Sequence, residues 1–268
     1  MALKVAVVTG ANKGIGYEIA RNLGSMPGQL AILACRNPKL GEESAARLKS
    51  EGCNVQFMPL DIDSEQSIDE FAAKLKISFP QGIDILVNNA AIAFKGADPT
   101  PFGQQAEPTI RVNYKGTAML TDALLPVVKN GGRIATVASM SGSLRNYHPS
   151  LQERFRNPNM TRQQLDQLAG EFVTLAQRGQ HNQAGWPNTC YGVSKALAIA
   201  HTRMLARELA PRGILVNCCC PGYVATDMSS HRGHKTPAQG ADTPTFIALL
   251  PDGGPTGQFW SDRTIQPW

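Results

Sequence analysis

Lys4-Val5-Ala6-Val7-Val8-Thr9-Gly10-Ala11-Asn12-Lys13-Gly14-Ile15-Gly16 is the stretch whose reading decides the fold. Its first five residues form a short, valine-rich apolar run with the character of a buried strand, and a glycine loop follows at once. Tyr17 to Leu23 then reads as helix. The glycines permit a tight turn and close backbone approach to a pyrophosphate, whose charge the unpaired N–H groups of the helix N-terminus would meet. Strand, glycine loop and helix in this order are the context that gives such a loop meaning as a dinucleotide site. Gly10, Asn12, Lys13, Gly14, Ile15 and Gly16 are therefore candidate cofactor-binding residues.

Beyond this unit the chain keeps alternating. Leu30 to Cys35, Val55 to Leu60, Ile83 to Asn88, Arg133 to Ser139 and Ile214 to Cys219 read as strands, separated by helical stretches such as Ser64 to Ile77 and Thr117 to Val128. The pattern predicts an α/β fold with a doubly wound parallel sheet of the Rossmann type. Gly257 to Trp260 adds a last strand, preceded by a short helix capped by Thr236 with Pro237 in its first turn. Neither a linker nor an internal repeat interrupts the sequence, so residues 1–268 are expected to form one domain.

Composition sets bounds on function. A chain of 268 residues that is 42% hydrophobic and 18% charged can bury a sizeable core. No apolar run reaches bilayer length, and the first strand starts too early to leave room for a signal peptide, so no membrane and a cytoplasmic address are expected. The net charge of +5 comes from scattered Lys and Arg, which argues against nucleic acid and suits an anionic dinucleotide. Six cysteines at 35, 53, 190, 218, 219 and 220 lack metal-ligand spacing, so neither a metal nor a disulfide framework is expected. Cys218 and Cys219 read as small hydrophobes in a strand, and Cys190 as the candidate reactive thiol.

Two features carry chemistry. Arg36 ends the second strand, 20 residues past Gly16. An acid at that distance would bind the ribose hydroxyls of NAD, whereas an arginine, helped by Lys13, suits the extra phosphate of NADP. The other feature is Tyr191-Gly192-Val193-Ser194-Lys195, which on a helix places a phenol and an ammonium on one face. A close cation favours phenolate, so Lys195 is expected to bring the tyrosine pKa down from about 10 toward neutrality.

These motifs, taken in order, resemble the short-chain dehydrogenases/reductases, and within them the monomeric NADPH-dependent carbonyl reductases. The resemblance covers essentially the whole chain. It rests on Thr9-Gly10-x-x-x-Gly14-x-Gly16, Leu60-Asp61-Ile62-Asp63, Asn88-Asn89-Ala90, Asn113, Ser139, Tyr191-x-x-x-Lys195 and Pro221-Gly222, with Ile92 to Lys95, Ala97 to Phe102 and Gly185-Trp186-Pro187 closer to the carbonyl-reductase branch. The resemblance implies that Tyr191 is the general acid, that Ser139 hydrogen-bonds the carbonyl oxygen, and that Lys195 lowers the tyrosine pKa and holds the nicotinamide ribose. Asn113 would support a water linking Lys195 to solvent. Asp61 and Ile62 would flank the adenine, Asn89 would lie along the cofactor, and Pro221, Gly222, Val224 and Thr226 would close over it, with the hydride supplied by NADPH. Read singly, Ser139 also fits a strand-end serine, Asn113 a helix-terminus hydrogen-bonder, and Asp61 a turn residue before the helix near Ser64.

Two departures stand out. Ala91 replaces the glycine that usually follows Asn-Asn-Ala, and its Cβ matters if the backbone there needs a positive φ. Tyr191 lies 52 positions past Ser139, more than in most of the family, because of an insertion of about residues 146–189. That insertion holds a helix candidate, Thr161 to Gln177, with Thr161 as N-cap and Leu165, Leu168, Phe172 and Leu175 at helical spacing. In the resembling branch such an insertion covers the oligomerisation face, so a monomer is expected. Ser139, Met140, Trp186, Tyr191, Tyr223 and Met228 are the candidate substrate residues, an apolar lining suited to quinones, ketones and aldehydes. Rival readings are an alcohol or steroid dehydrogenase on the same scaffold and a non-catalytic NADP(H)-binding regulator.

Overall fold

The computed structural model describes residues 3–268. Strands β1 (Lys4–Thr9), β2 (Gln29–Cys35), β3 (Val55–Pro59), β4 (Ile83–Asn88), β5 (Val128–Val137), β6 (Leu215–Cys220), β7 (Phe259–Ser261) and β8 (Thr264–Gln266) form one sheet in the order β3-β2-β1-β4-β5-β6-β7-β8. Every pairing is parallel except β7 with β8. The parallel doubly wound sheet expected from the sequence is thus present, with an antiparallel strand added at its edge. Strands β2 and β6 are buried throughout, which is why they read as unbroken apolar runs.

The pleat distributes alternate residues to two cores. Ala6 and Val8 face a layer made by α1 (Gly14–Gly24), α2 (Pro38–Ser50) and α9 (Pro237–Ala248). Val5 and Val7 face the opposite layer of α3 (Glu65–Ser78), α5 (Thr117–Leu124) and the far end of α8 (Cys190–Glu208). A third core joins α4 (Phe102–Ile110), α6 (Pro149–Phe155), α7 (Arg162–Gln177) and the outer face of α8.

Local sequence explains most boundaries. Thr161 and Thr236 each form a reciprocal capping box, with Gln164 and Gln239, at the starts of α7 and α9. Two boundaries depart most from expectation. The helix at Thr117 stops at Leu124 instead of reaching Val128, and β5 begins at Val128 instead of Arg133. Val128 pairs with Ile83 before the register shifts ahead of the Ile85 and Arg133 pair, so the polar Lys129 to Gly132 stretch is an irregularity within the strand. Between α4 and α5 the chain makes a π-helical turn over Arg111–Gly116, just after Pro108 has removed a donor from the helix.

Candidate active site

The site lies where the strand order reverses, between β1 and β4, the usual ligand crevice of such a sheet. Thr9 Oγ1 accepts hydrogen bonds from the backbone N–H groups of Asn89 and Ala90, both at 2.9 Å, and ties the carboxyl ends of the two strands together. Asn89 Nδ2 donates to Thr9 O at 2.8 Å. Gly10 and Gly14 both have left-handed backbone (φ +64° and +58°), and a Cβ on Gly16 would stand 2.5 Å from Asn89 Nδ2. Only glycines let the loop turn this tightly over the start of α1. No side chain caps that helix at Lys13, which leaves its first-turn N–H groups for an anion.

A groove of about 550 Å³ runs along the carboxyl ends of the strands. Arg36, Asp61 and Ile62 line one end, and Gly10, Asn12, Lys13, Gly14 and Ile15 the middle. Asn89, Tyr191 and Lys195 line the far end, while Pro221, Thr226 and Met228 form the opposite wall. Asp61 also accepts from Asp63 N at 3.0 Å, so its reading as a turn residue is realised together with its place at the groove. Gly16, Gly222 and Val224 stand behind the lining: Val224 is buried, and the side chain of Lys235 crosses the face of Gly222. Ala91 lines the groove without a positive φ, so its methyl group imposes no backbone strain.

At the far end, the Tyr191 phenol lies beside the Ser139 hydroxyl. Ser139 Oγ also accepts from Ser141 N at 3.1 Å, in a short turn that follows β5. Lys195 is buried, with Nζ 5.4 Å from the Tyr191 ring centroid and donating to Val137 O at 2.8 Å. Asn113 sits in the π-helical turn. Its Oδ1 accepts from Ile92 N and its Nδ2 donates to Ile92 O, both at 2.8 Å, with a second Nδ2 contact to Ser194 Oγ at 3.0 Å. Ser194 Oγ in turn donates to Tyr191 O at 2.7 Å. Asn113 therefore couples the loop after β4 to the helix that carries Tyr191.

The electrostatics correct the expectation that Lys195 lowers the tyrosine pKa. Burial pushes the Tyr191 phenol up to about 12, with Cys220 adding to the rise and the neighbouring Ser139 hydroxyl opposing it. Burial likewise brings Lys195 down to about 8. Desolvation disfavours both charged forms, and the ammonium points at a carbonyl rather than at the phenol oxygen. A phenol held neutral is an acid able to donate a proton.

Two other expectations are overturned. Trp186 is 2% exposed and packs with Tyr147, Phe155 and Phe172 in the core of the insertion, so it cannot line a substrate pocket. Cys190 is buried, and burial pushes its thiol up to about 12, which leaves it inert. Met140, Tyr223 and Met228 are instead 45%, 49% and 40% exposed, and of the three Met228 lines the groove. Sequence reading missed Ser194 and also Asp227, which holds Lys13 Nζ at 2.6 Å across the groove. Their partners lie 81 and 214 positions away, beyond any local signal.

Comparison with known proteins agrees with this geometry. The short chain dehydrogenase model matches residues 4–151, and the enoyl-(acyl carrier protein) reductase model matches residues 155–244. The chain is 42% identical to carbonyl reductase (NADPH) 1 of Rattus norvegicus, over 98% of each protein, and 41% identical to carbonyl reductase (NADPH) 1 of Homo sapiens, over 99% of each. Among solved structures, salutaridine reductase from Papaver somniferum superposes with a TM-score of 0.88 at 32% identity, covering 96% of this chain and 99% of that one. Sheet order, glycine loop and full-length similarity thus agree, and the chain belongs to the short-chain dehydrogenase family.

Proposed function

We propose that this chain reduces carbonyl compounds with NADPH, and that Tyr191 donates the proton. The chain is an NADPH-dependent oxidoreductase by its full-length similarity to the carbonyl reductases. One observation carries the assignment of roles: the buried phenol of Tyr191 lies beside Ser139 at the end of a groove that begins at Arg36. The groove fits the cofactor, since the left-handed glycines and the uncapped α1 suit a pyrophosphate, and Arg36 with Lys13 suits a further phosphate. NADPH supplies the hydride when bound.

The chain's own residues do the rest. Ser139 and Tyr191 both aim hydrogen bonds at the oxygen where negative charge develops, and the Tyr191 proton goes to that oxygen. Lys195 holds the ribose, while Asn113 fixes the helix through Ser194. The exposed Met140, Tyr223 and Met228 favour bulky apolar quinones, ketones and aldehydes. The same proposal includes one domain spanning the chain, a monomeric state and a cytoplasmic address; no helix among the described residues is long and apolar enough to cross a membrane.

The test is NADPH oxidation with a carbonyl panel, in wild type and Tyr191→Phe. Turnover should fall by about 10²–10⁴-fold in the variant with NADPH binding retained. Unchanged turnover in Tyr191→Phe would remove its role, and wild type that binds NADPH yet turns over no carbonyl would leave a binding regulator.

A further inference from the structure

The turn that carries Ser139 is held from two sides. On its inner side it lies directly on α8: a Cβ on Gly142 would come within 2.8 Å of both Lys195 C and Ala196 N, and one on Gly192 within 2.7 Å of Ser141 O. Backbone here touches backbone, and the contact points are the residues flanking Tyr191 and Lys195. On its outer side stands Trp268. Its indole Nε1 donates to Gly142 O at 2.8 Å. Among the described residues this is the hydrogen bond the Met140–Gly142 turn receives from outside its own segment, since its other bonds run between Ser139 and Ser143.

The Trp268 ring is itself fixed. It meets Phe155 edge to face at 6.2 Å, and the Arg203 guanidinium of α8 stands over it at 5.6 Å. It also packs against the small core of Ala138, Ile199, Cys218, Cys220 and Phe259, which contains the residue before Ser139 and the thiol near Tyr191. An indole clamped on several sides holds its N–H in one direction. The carbonyl it holds belongs to a turn whose first residue supplies a hydroxyl to the reaction.

We infer that Trp268 is a positioning residue: through Gly142 it presses the Ser139 turn onto α8, so that the serine hydroxyl and the Tyr191 phenol meet on one substrate oxygen. This rests on the catalytic reading of Ser139 given above. The indole is not among the residues that line the cofactor groove. Loss of its N–H therefore acts on turnover through the Ser139 turn while leaving NADPH affinity as it was. A misplacement of the order of 1 Å in such a hydroxyl is enough to slow a reaction severely.

The experiment is a double-mutant cycle on the full chain, with Trp268→Phe and Ser139→Ala alone and together, measuring kcat for a quinone, KM for NADPH, NADPH binding and Tm. Trp268→Phe keeps an aromatic side chain while removing the five-membered ring and its N–H donor, and should lower kcat about three- to tenfold with the NADPH dissociation constant unchanged. In the Ser139→Ala background the same change should cost nothing further, because the group it positions is gone. Trp268→Tyr, which also lacks the indole N–H, should follow Trp268→Phe. Equal fold losses in both backgrounds, or an unchanged kcat in Trp268→Phe, would overturn the inference. Ser139→Ala with full activity would instead refute the reading of Ser139, which separates the two failures.

Discussion

Lys195 sits in a position that works against folding. Its ammonium is buried and its pKa falls to about 8, well below the 10.5 of an exposed lysine. Below pH 8 the folded state therefore carries the full cost of the buried charge. As pH rises from 8 toward 10.5 the unfolded chain still binds the proton and the folded chain does not, so this cost fades. The shift corresponds to about 3 kcal/mol. Lys195→Met should accordingly be more stable than wild type at pH 7 while losing carbonyl reduction, with the stability gap closing between pH 8 and 10. Cys35 and Cys190, whose raised pKa values destabilise the fold above pH 9, do not feel Lys195 and so drop out of the gap. Urea titrations at a series of pH values measure it, and a gap that stays constant with pH would contradict the argument. Lys13 illustrates the opposite case. Its ion pair with Asp227 is more than half exposed on both sides and so is worth little, which lets Lys13 exchange a carboxylate for a phosphate at small cost. Arg36→Ala and Lys13→Ala should each weaken NADPH binding by about tenfold or more while leaving NADH binding nearly unchanged, whereas Asp227→Asn should shift NADPH affinity only severalfold. Fluorescence titration with both cofactors distinguishes these outcomes.

The π-helical turn shows how an element can be both a packing device and a support for chemistry. Gly116 ends it, and a Cβ there would stand 2.1 Å from Ile62 O, so the helix packs against the segment after β3 with backbone alone. The same turn carries Asn113, whose side chain links Ile92 to Ser194. Gly116→Ala should therefore push the turn away from Ile62 and destabilise the fold by about 1–3 kcal/mol, with a larger fractional loss of turnover than Thr161→Ala. Thr161 caps α7, far from the groove, and its loss should cost about 1 kcal/mol in stability and leave the kinetics intact. Thermal melts paired with steady-state assays compare the two. The contrast also marks what could be read in advance. Thr161 and Thr236 are local signals and were legible, as were the glycine loop and the Tyr191 to Lys195 spacing. The π-helical turn was not, because Pro108 and Gly116 signal a break without saying how it is resolved. Trp186 was misplaced for a related reason: its neighbours in sequence lie near the site, but the insertion folds its ring into a core that only tertiary contacts define.

The insertion decides how the whole molecule presents itself. Without it, Ala106, Ile110 and Tyr114 on the α4 side and Val193, Leu197 and Ala200 on α8 would form a continuous apolar surface next to the candidate site. In the structure they are buried together with Leu151, Phe155, Leu165, Leu168 and Phe172 of the insertion. Such a surface left open would seek a partner, and covering it within one chain removes that need. The Tyr114 hydroxyl donates to Asp166 of α7, and Arg162 of α7 reaches Asp122 of α5, so polar contacts on the rim hold the cover in place. Light scattering at about 10 µM should therefore give a mass near 28.8 kDa. Phe172 is fully buried at the centre of the cover, and Phe172→Ala should cost about 3–5 kcal/mol. Because that loss loosens the cover rather than the sheet, the variant should bind NADPH normally when folded and self-associate at concentrations where wild type stays single. A wild-type mass of twice 28.8 kDa would show that another surface makes the partner contact and that the insertion serves a different end.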